Sequence, residues 1–220
     1  MNYTELSSAI QAYTENTETS FVAEIPVFVQ QAEQRIYNSV QFPSIRKNVT
    51  GTTTINNKYL QCPTDFLATY SLAVIDAAGA YEYLLNKDVN FIRQAYPTPA
   101  DTGTPKYYAL FGPRSDNAAE LTFILGPTPD AAYSSELHYY FYPPSITVSP
   151  YTSWLGDNFD TVLLYASLVE AYTYMKGEPD MMALYNGKYQ EALALAKRLG
   201  DGLERGDAYR DGQTKIRVTT

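Results

Sequence analysis

Two amphipathic stretches joined by a very short link constrain this chain most. From Asp157 onward, apolar residues recur at helical spacing: Phe159, Val162, Leu163, Ala166, Val169 and Tyr172. Asp157 is placed to cap that helix, with Asp160 near the positive end of its dipole. Gly177 is expected to supply a left-handed C-cap, and Pro179 to open a second helix. Met181, Met182, Tyr185, Tyr189, Leu193 and Ala196 give the second helix one buried side, and Gly200 is expected to stop it. Only Lys176-Gly177-Glu178 lies between, so the two helices fold back as an antiparallel pair. A single helical hairpin cannot bury its own apolar face, so it requires partners from elsewhere in the chain.

Those partners are at the N-terminus. Asn2 and Glu5 form a variant capping box ahead of Leu6, Ala9, Ile10 and Tyr13, which share one helical face. Asn16 to Ser20 is a polar break. A second amphipathic helix follows, with Pro26 expected near its first turn and Ile25, Val29, Ala32, Ile36 and Val40 as its buried stripe. Gln30, Gln31, Glu33, Gln34 and Arg35 are assigned to its outer face, and Pro43 ends it.

Between the helical pairs the period changes from helical to alternating. Thr50 to Ile55 and Lys58 to Cys62 flank Asn56-Asn57, which suits a two-residue hairpin turn. Thr69 to Ile75 and Tyr81 to Leu85 read as strands separated by Gly79, and Asp88 caps a short helix that stops at Pro97. Lys106 to Phe111, Glu120 to Leu125 and Glu136 to Tyr142 follow as strands, the first two separated by a turn at Arg114-Ser115-Asp116-Asn117. In the last strand both faces are aromatic, which suggests that both are covered. The predicted class is therefore α+β: an antiparallel helical bundle over 1–42 and 151–203, an inserted antiparallel β-module over 43–150, and a C-terminal extension over 204–220.

Chemistry has few footholds here. His138 is the lone histidine and Cys62 the lone cysteine, so a His-rich metal site is impossible and an internal disulfide cannot form. His138 sits between tyrosines in a strand and reads as a packed or edge residue, and Cys62 as a small buried apolar one. Glu178 and Asp180 are explained by helix capping. No catalytic motif, metal site or cofactor site is expected, and no enzymatic activity. With a formal net charge of -8 the chain has no electrostatic basis for gripping nucleic acid. An acidic wall can instead repel DNA inside a channel. No apolar run approaches the length of a membrane span, and no secretory leader is evident. The 21 Tyr against 9 Phe fit half-buried strand positions, contact surfaces with other proteins, or both.

Several stretches carry a family resemblance. Thr4-Glu5-Leu6, Tyr13-Thr14-Glu15-Asn16, Phe21-Val22 and Ile25-Pro26 contribute, as does the run from Phe28 to Tyr37, with its core Ala32-Glu33-Gln34-Arg35-Ile36. A Thr-rich strand then leads to Pro63-Thr64-Asp65-Phe66-Leu67. These resemble the head-to-tail adaptor (connector) proteins of short-tailed double-stranded DNA bacteriophages, whose second helix carries Ala-Glu-x-Arg-Ile and whose strand leads to Pro-x-Asp-Phe-Leu.

The resemblance implies a homo-oligomeric ring of twelve copies between portal and tail, in a virion assembled in the host cytoplasm. The β-module would face the next tail component, and double-stranded DNA would pass through the lumen without specific binding. The end of the chain, Thr214-Lys215-Ile216-Arg217-Val218, alternates and is β-branched, and reads either as a loose terminus or as an arm that adds a strand to a partner. The resemblance favours an arm that grips the portal protein. Ring contacts are expected at Arg35, Tyr37, Tyr172 and Tyr185. The competing reading is a monomer whose β-module binds carbohydrate or peptide on exposed tyrosines.

Overall fold

The computed structural model describes residues 1–98, 100–112 and 121–205, with side chains through Arg198. The fold is α+β, with helices at both ends and β-structure in the middle. Two compact units result: Met1–Ile45 with the chain from Pro143 onward, and Arg46–Tyr142.

In the helical unit, α1 (Tyr3–Thr14) and α2 (Thr19–Ser39) precede α4 (Trp154–Asn158), α5 (Asp160–Tyr174) and α6 (Pro179–Arg205). The α1 capping box forms as its sequence predicts, with Asn2 Oδ1 accepting from the Glu5 N–H and Glu5 Oε2 accepting from the Asn2 N–H, both at 2.9 Å. Helix α5 touches α1, α2, α4 and α6. Its buried residues, among them Val162, Leu163, Leu164, Leu168 and Ala171, lie on more than one face, as expected of a helix enclosed by others. Ser167 is fully buried there and is satisfied by donating back to the Leu163 carbonyl at 2.8 Å.

Four local expectations are corrected. Asp157 lies inside α4, whose cap is Ser153 donated to by the Gly156 N–H at 3.0 Å, and α5 starts after Phe159 with no side-chain cap. Helix α2 begins at Thr19, so Pro26 sits well inside it rather than in its first turn. The left-handed residue that ends α5 is Lys176, at φ 54°, not Gly177. The Lys176 N–H reaches the Thr173 carbonyl and the Gly177 N–H the Tyr172 carbonyl, which is the Schellman pattern. Gly177 is needed for space instead, since a Cβ there would lie 2.5 Å from the Tyr172 ring. Finally, Gly200 does not stop α6, which continues to Arg205. One glycine costs about 1 kcal/mol relative to alanine, too little to end a long helix.

Among the described residues the β-unit has two four-stranded sheets. In the first, β1 (Arg46–Thr52), β8 (Ser134–Tyr140), β3 (Ala68–Ile75) and β4 (Tyr81–Tyr83) run in that order, all antiparallel. In the second the order is β2 (Tyr59–Gln61), β7 (Thr122–Gly126), β6 (Tyr107–Phe111) and β5 (Leu85–Asn86), and β5 pairs parallel to β6. The expected hairpin around Asn56-Asn57 therefore does not form. Asn56 does adopt φ 59°, but the turn passes the chain from one sheet to the other. Each flank finds its complement elsewhere: Val49 opposite Leu137, and Leu60 opposite Phe123.

Leu72, Val74, Leu137 and Tyr139 from the first sheet meet Tyr108, Phe123 and Leu125 from the second in one core. Helix α3 (Val89–Ala95), capped by Asp88 as predicted, covers the far side of the second sheet through Ile92, against Ala109 and Ile124. Strand β7 is consequently buried on both faces. Gly126 ends it where α3 approaches closely, since a Cβ there would lie 2.9 Å from Ile92. On β8, Leu137 and Tyr139 point inward, whereas His138 and Tyr140 are only half-buried, so the second aromatic face is not fully covered.

Candidate functional surfaces

The two motifs of the resemblance both serve to lock backbone in place. In Ala32-Glu33-Gln34-Arg35-Ile36, Ala32 and Ile36 are fully buried in the bundle. Glu33, assigned to the outer face, is 3% exposed and accepts from the Ile146 N–H at 2.9 Å. Burial pushes its carboxyl up from the ordinary range, while hydrogen bonds from Ser145 and Ile146 pull the other way. It ties α2 to the segment entering α4. Its helical phase, four residues from both Val29 and Tyr37, sets it beside the buried stripe, and only its polarity argues for the outer face. Arg35 forms an ion pair with Glu170 on α5 and keeps a side chain 42% exposed.

In Pro63-Thr64-Asp65-Phe66-Leu67, Asp65 accepts from Lys47 Nζ at 2.7 Å and from the Tyr139 hydroxyl at 2.8 Å. The Lys47 ammonium holds the Asp65 carboxyl below its usual value, and Asp65 in turn raises Lys47. Phe66 stacks on Tyr139 and meets Phe123 edge-on. The motif thus fastens the chain between β2 and β3 to β1 and β8.

The expected ring-contact residues have different placements. Arg35 is exposed and Tyr172 is half-buried, whereas Tyr37 and Tyr185 are each only 6% exposed within the helical unit. Burial and the nearby Glu33 raise the Tyr37 hydroxyl, which has no hydrogen-bond partner among the described residues. Tyr185 packs against Tyr172 at 4.9 Å between ring centroids and is pushed up to about 12, chiefly by burial. Both tyrosines pack inside the helical unit. The portal-arm residues Thr214, Lys215, Ile216, Arg217 and Val218 lie outside the described residues, as does the expected turn at Arg114 to Asn117.

Other surface features belong to the β-unit. Tyr70, Tyr81 and Tyr83 are 59%, 50% and 66% exposed, and the last two stack along β4. Strands β1 and β4 are the edges of the first sheet. A groove of about 400 Å³ opens between the β1 and β2 edges, lined by Val49, Leu60, Cys62, Phe123 and Leu137 among others. Cys62 is buried, with its thiol pushed up to about 12 by desolvation, consistent with a packing role.

His138 lies 3.4 Å from Ser71 Oγ and 3.6 Å from Glu136 on the outer face of the first sheet. Cross-strand pairing of Ser71 with His138 accounts for that row, and both distances exceed the 2.6–3.2 Å typical of a nucleophile–base pair. Among the described residues there is no cluster of metal-ligating side chains, and no helix is long and apolar enough to cross a membrane.

The two motifs each stabilise one of the two units. A family model described as SU10 adaptor protein matches residues 1–215, and the chain belongs to that family of phage adaptor proteins. No curated protein matches.

Proposed function

We propose that the chain is the ring-forming head–tail adaptor of a bacteriophage virion. Copies assemble side by side, twelve in number as in the adaptors it resembles, below the portal. The ring extends the channel through which double-stranded DNA is retained and later ejected. The helical unit supplies the ring contacts, and the β-unit faces the next tail component with its exposed tyrosines and open sheet edges. The extension with Thr214, Lys215, Ile216, Arg217 and Val218 grips the portal protein. The net charge of -8 suits a wall past which DNA must slide.

The observation that carries this reading is the family match over almost the whole chain, from the first helix into the extension. The test is the particle mass of the purified protein, alone and mixed with the portal protein of the same genome. A multi-copy ring on the portal supports the proposal. A monomer indifferent to the portal, with a melting shift on carbohydrate or peptide, supports the binding-module reading instead.

A further inference from the structure

The first sheet ends in a long open edge. Strand β1 runs seven residues in unbroken antiparallel register with β8, and no strand pairs with its other side among the described residues. The other sheet edges are shorter, with three residues in β2, three in β4 and two in β5. Sheet edges are ordinarily protected by shortness, proline, a bulge or an inward charge. The one inward charge on β1 is Lys47, at its start, and Asp65 holds it. From Asn48 to Thr52 the edge has none of these devices.

The side chains beneath this edge are also incompletely covered. Val49 points the same way as its partner Leu137, yet Val49 is 37% exposed and Leu137 only 6%. Between them and the β2 edge of the second sheet lies the groove of about 400 Å³, with Val49, Leu60, Cys62, Phe123 and Leu137 as its apolar lining. An open backbone ladder beside an apolar groove fits one kind of occupant: an extended segment in which every second side chain is apolar.

The sequence supplies such a segment outside the described residues. Thr214-Lys215-Ile216-Arg217-Val218-Thr219-Thr220 has the seven-residue length of β1. Ile216 and Val218 fall on one side of it as a strand, and Lys215 and Arg217 on the other. Eight residues, 206–213, separate it from the end of α6 at Arg205. Fully extended they span about 29 Å, the breadth of a small domain, which suffices to leave their own copy.

We infer that 214–220 of one copy adds as a strand to the β1 edge of a second copy, with Ile216 and Val218 in the groove. Donor and acceptor are different patches of one chain, so the contact is head-to-tail and passes from copy to copy. It belongs to the chain before it meets the portal protein, which competes for the same segment. The inference rests on the β1 edge and the groove, not on the ring reading.

The test is amide hydrogen exchange of the full chain without portal protein, at low and high concentration, with the native particle mass taken on the same samples. At high concentration the amides of 214–220 and of β1 should slow together, about tenfold or more, in particles larger than a monomer. Ile216→Asp/Val218→Asp should abolish both effects, and so should Val49→Lys, which puts a charge into the groove. Should Val49→Lys lower the circular dichroism melt, the Asp pair alone decides. Rapid exchange of 214–220 at every concentration overturns the inference. Protection in a particle of monomer mass places each segment on its own chain and overturns the second copy as donor. Protection of β1 only when portal protein is added gives the edge to the portal and overturns it as well. A chain that passes this test but forms no ring on the portal overturns the ring reading alone.

Discussion

Glu33 offers the sharpest energetic test, because its carboxylate is buried and its partner is a main-chain N–H. Glu33→Ala leaves the Ile146 N–H without its acceptor. An unsatisfied buried donor costs about 1–3 kcal/mol, and the vacated volume adds to that. A loss of about 2 kcal/mol corresponds to a fall of roughly 4–8 °C in Tm for a chain of this size. Glu33→Gln keeps an oxygen acceptor and removes the buried charge, so at neutral pH it should melt at or above wild type. The pH dependence has a definite sign. Burial raises the folded-state pKa of Glu33, so its contribution is fully present below the unfolded value and is lost as pH rises through the folded one. The advantage of Glu33→Gln over wild type should therefore be largest at neutral pH and vanish as pH falls into the ordinary carboxylate range. The assay is the far-ultraviolet circular dichroism melt, which reports mainly the helices. If Glu33→Ala melts like wild type, or the Gln advantage grows on acidification, the assigned role of Glu33 is wrong.

Other expectations concern the β-unit and the extension. Asp65→Ala should cost about 1–2 kcal/mol, mostly from the Tyr139 hydroxyl losing its acceptor, because the half-exposed Lys47 pair contributes little. Since the Asp65 pKa is depressed, that stability is present above the unfolded value and lost as pH falls through the folded one; a near-ultraviolet melt between neutral and acidic pH reads it. Phe123→Ala removes a fully buried ring that meets both Phe66 and Tyr108 edge-on, and should cost about 3–5 kcal/mol in denaturant unfolding. Deleting Thr214 to Thr220 should leave Tm nearly unchanged and abolish portal docking in a pull-down; a truncated chain that docks with full affinity would remove the arm from the account.

Elements with a local cause were legible in the sequence. The Asn2–Glu5 box, the Asp88 cap and the stripes of α1, α2 and α6 depend on neighbours a few residues away, and short-range chemistry is what periodicity reads. Some local readings failed as well, among them the Asp157 cap, Pro26 in a first turn and Gly200 as a helix stop, but the larger failures depended on remote partners. The Asn56-Asn57 turn has the left-handed residue of a hairpin, yet which strand pairs with β1 is decided by β8, far along the chain. As a charged residue Glu33 reads as outward despite a helical phase beside the buried stripe, and only the fold shows the Ile146 N–H that satisfies it there. For the ring contacts, named by residue type, the fold adds only burial: Tyr37 and Tyr185 lie inside the helical unit and Arg35 is exposed.

The measurement that bears most directly on the central claim is the mass of the native particle, taken for the purified chain alone and after mixing with its portal protein. The account predicts a multi-copy ring of one stoichiometry on the portal, lost when Thr214 to Thr220 are removed. A chain that remains monomeric at every concentration, with or without the portal, would contradict it.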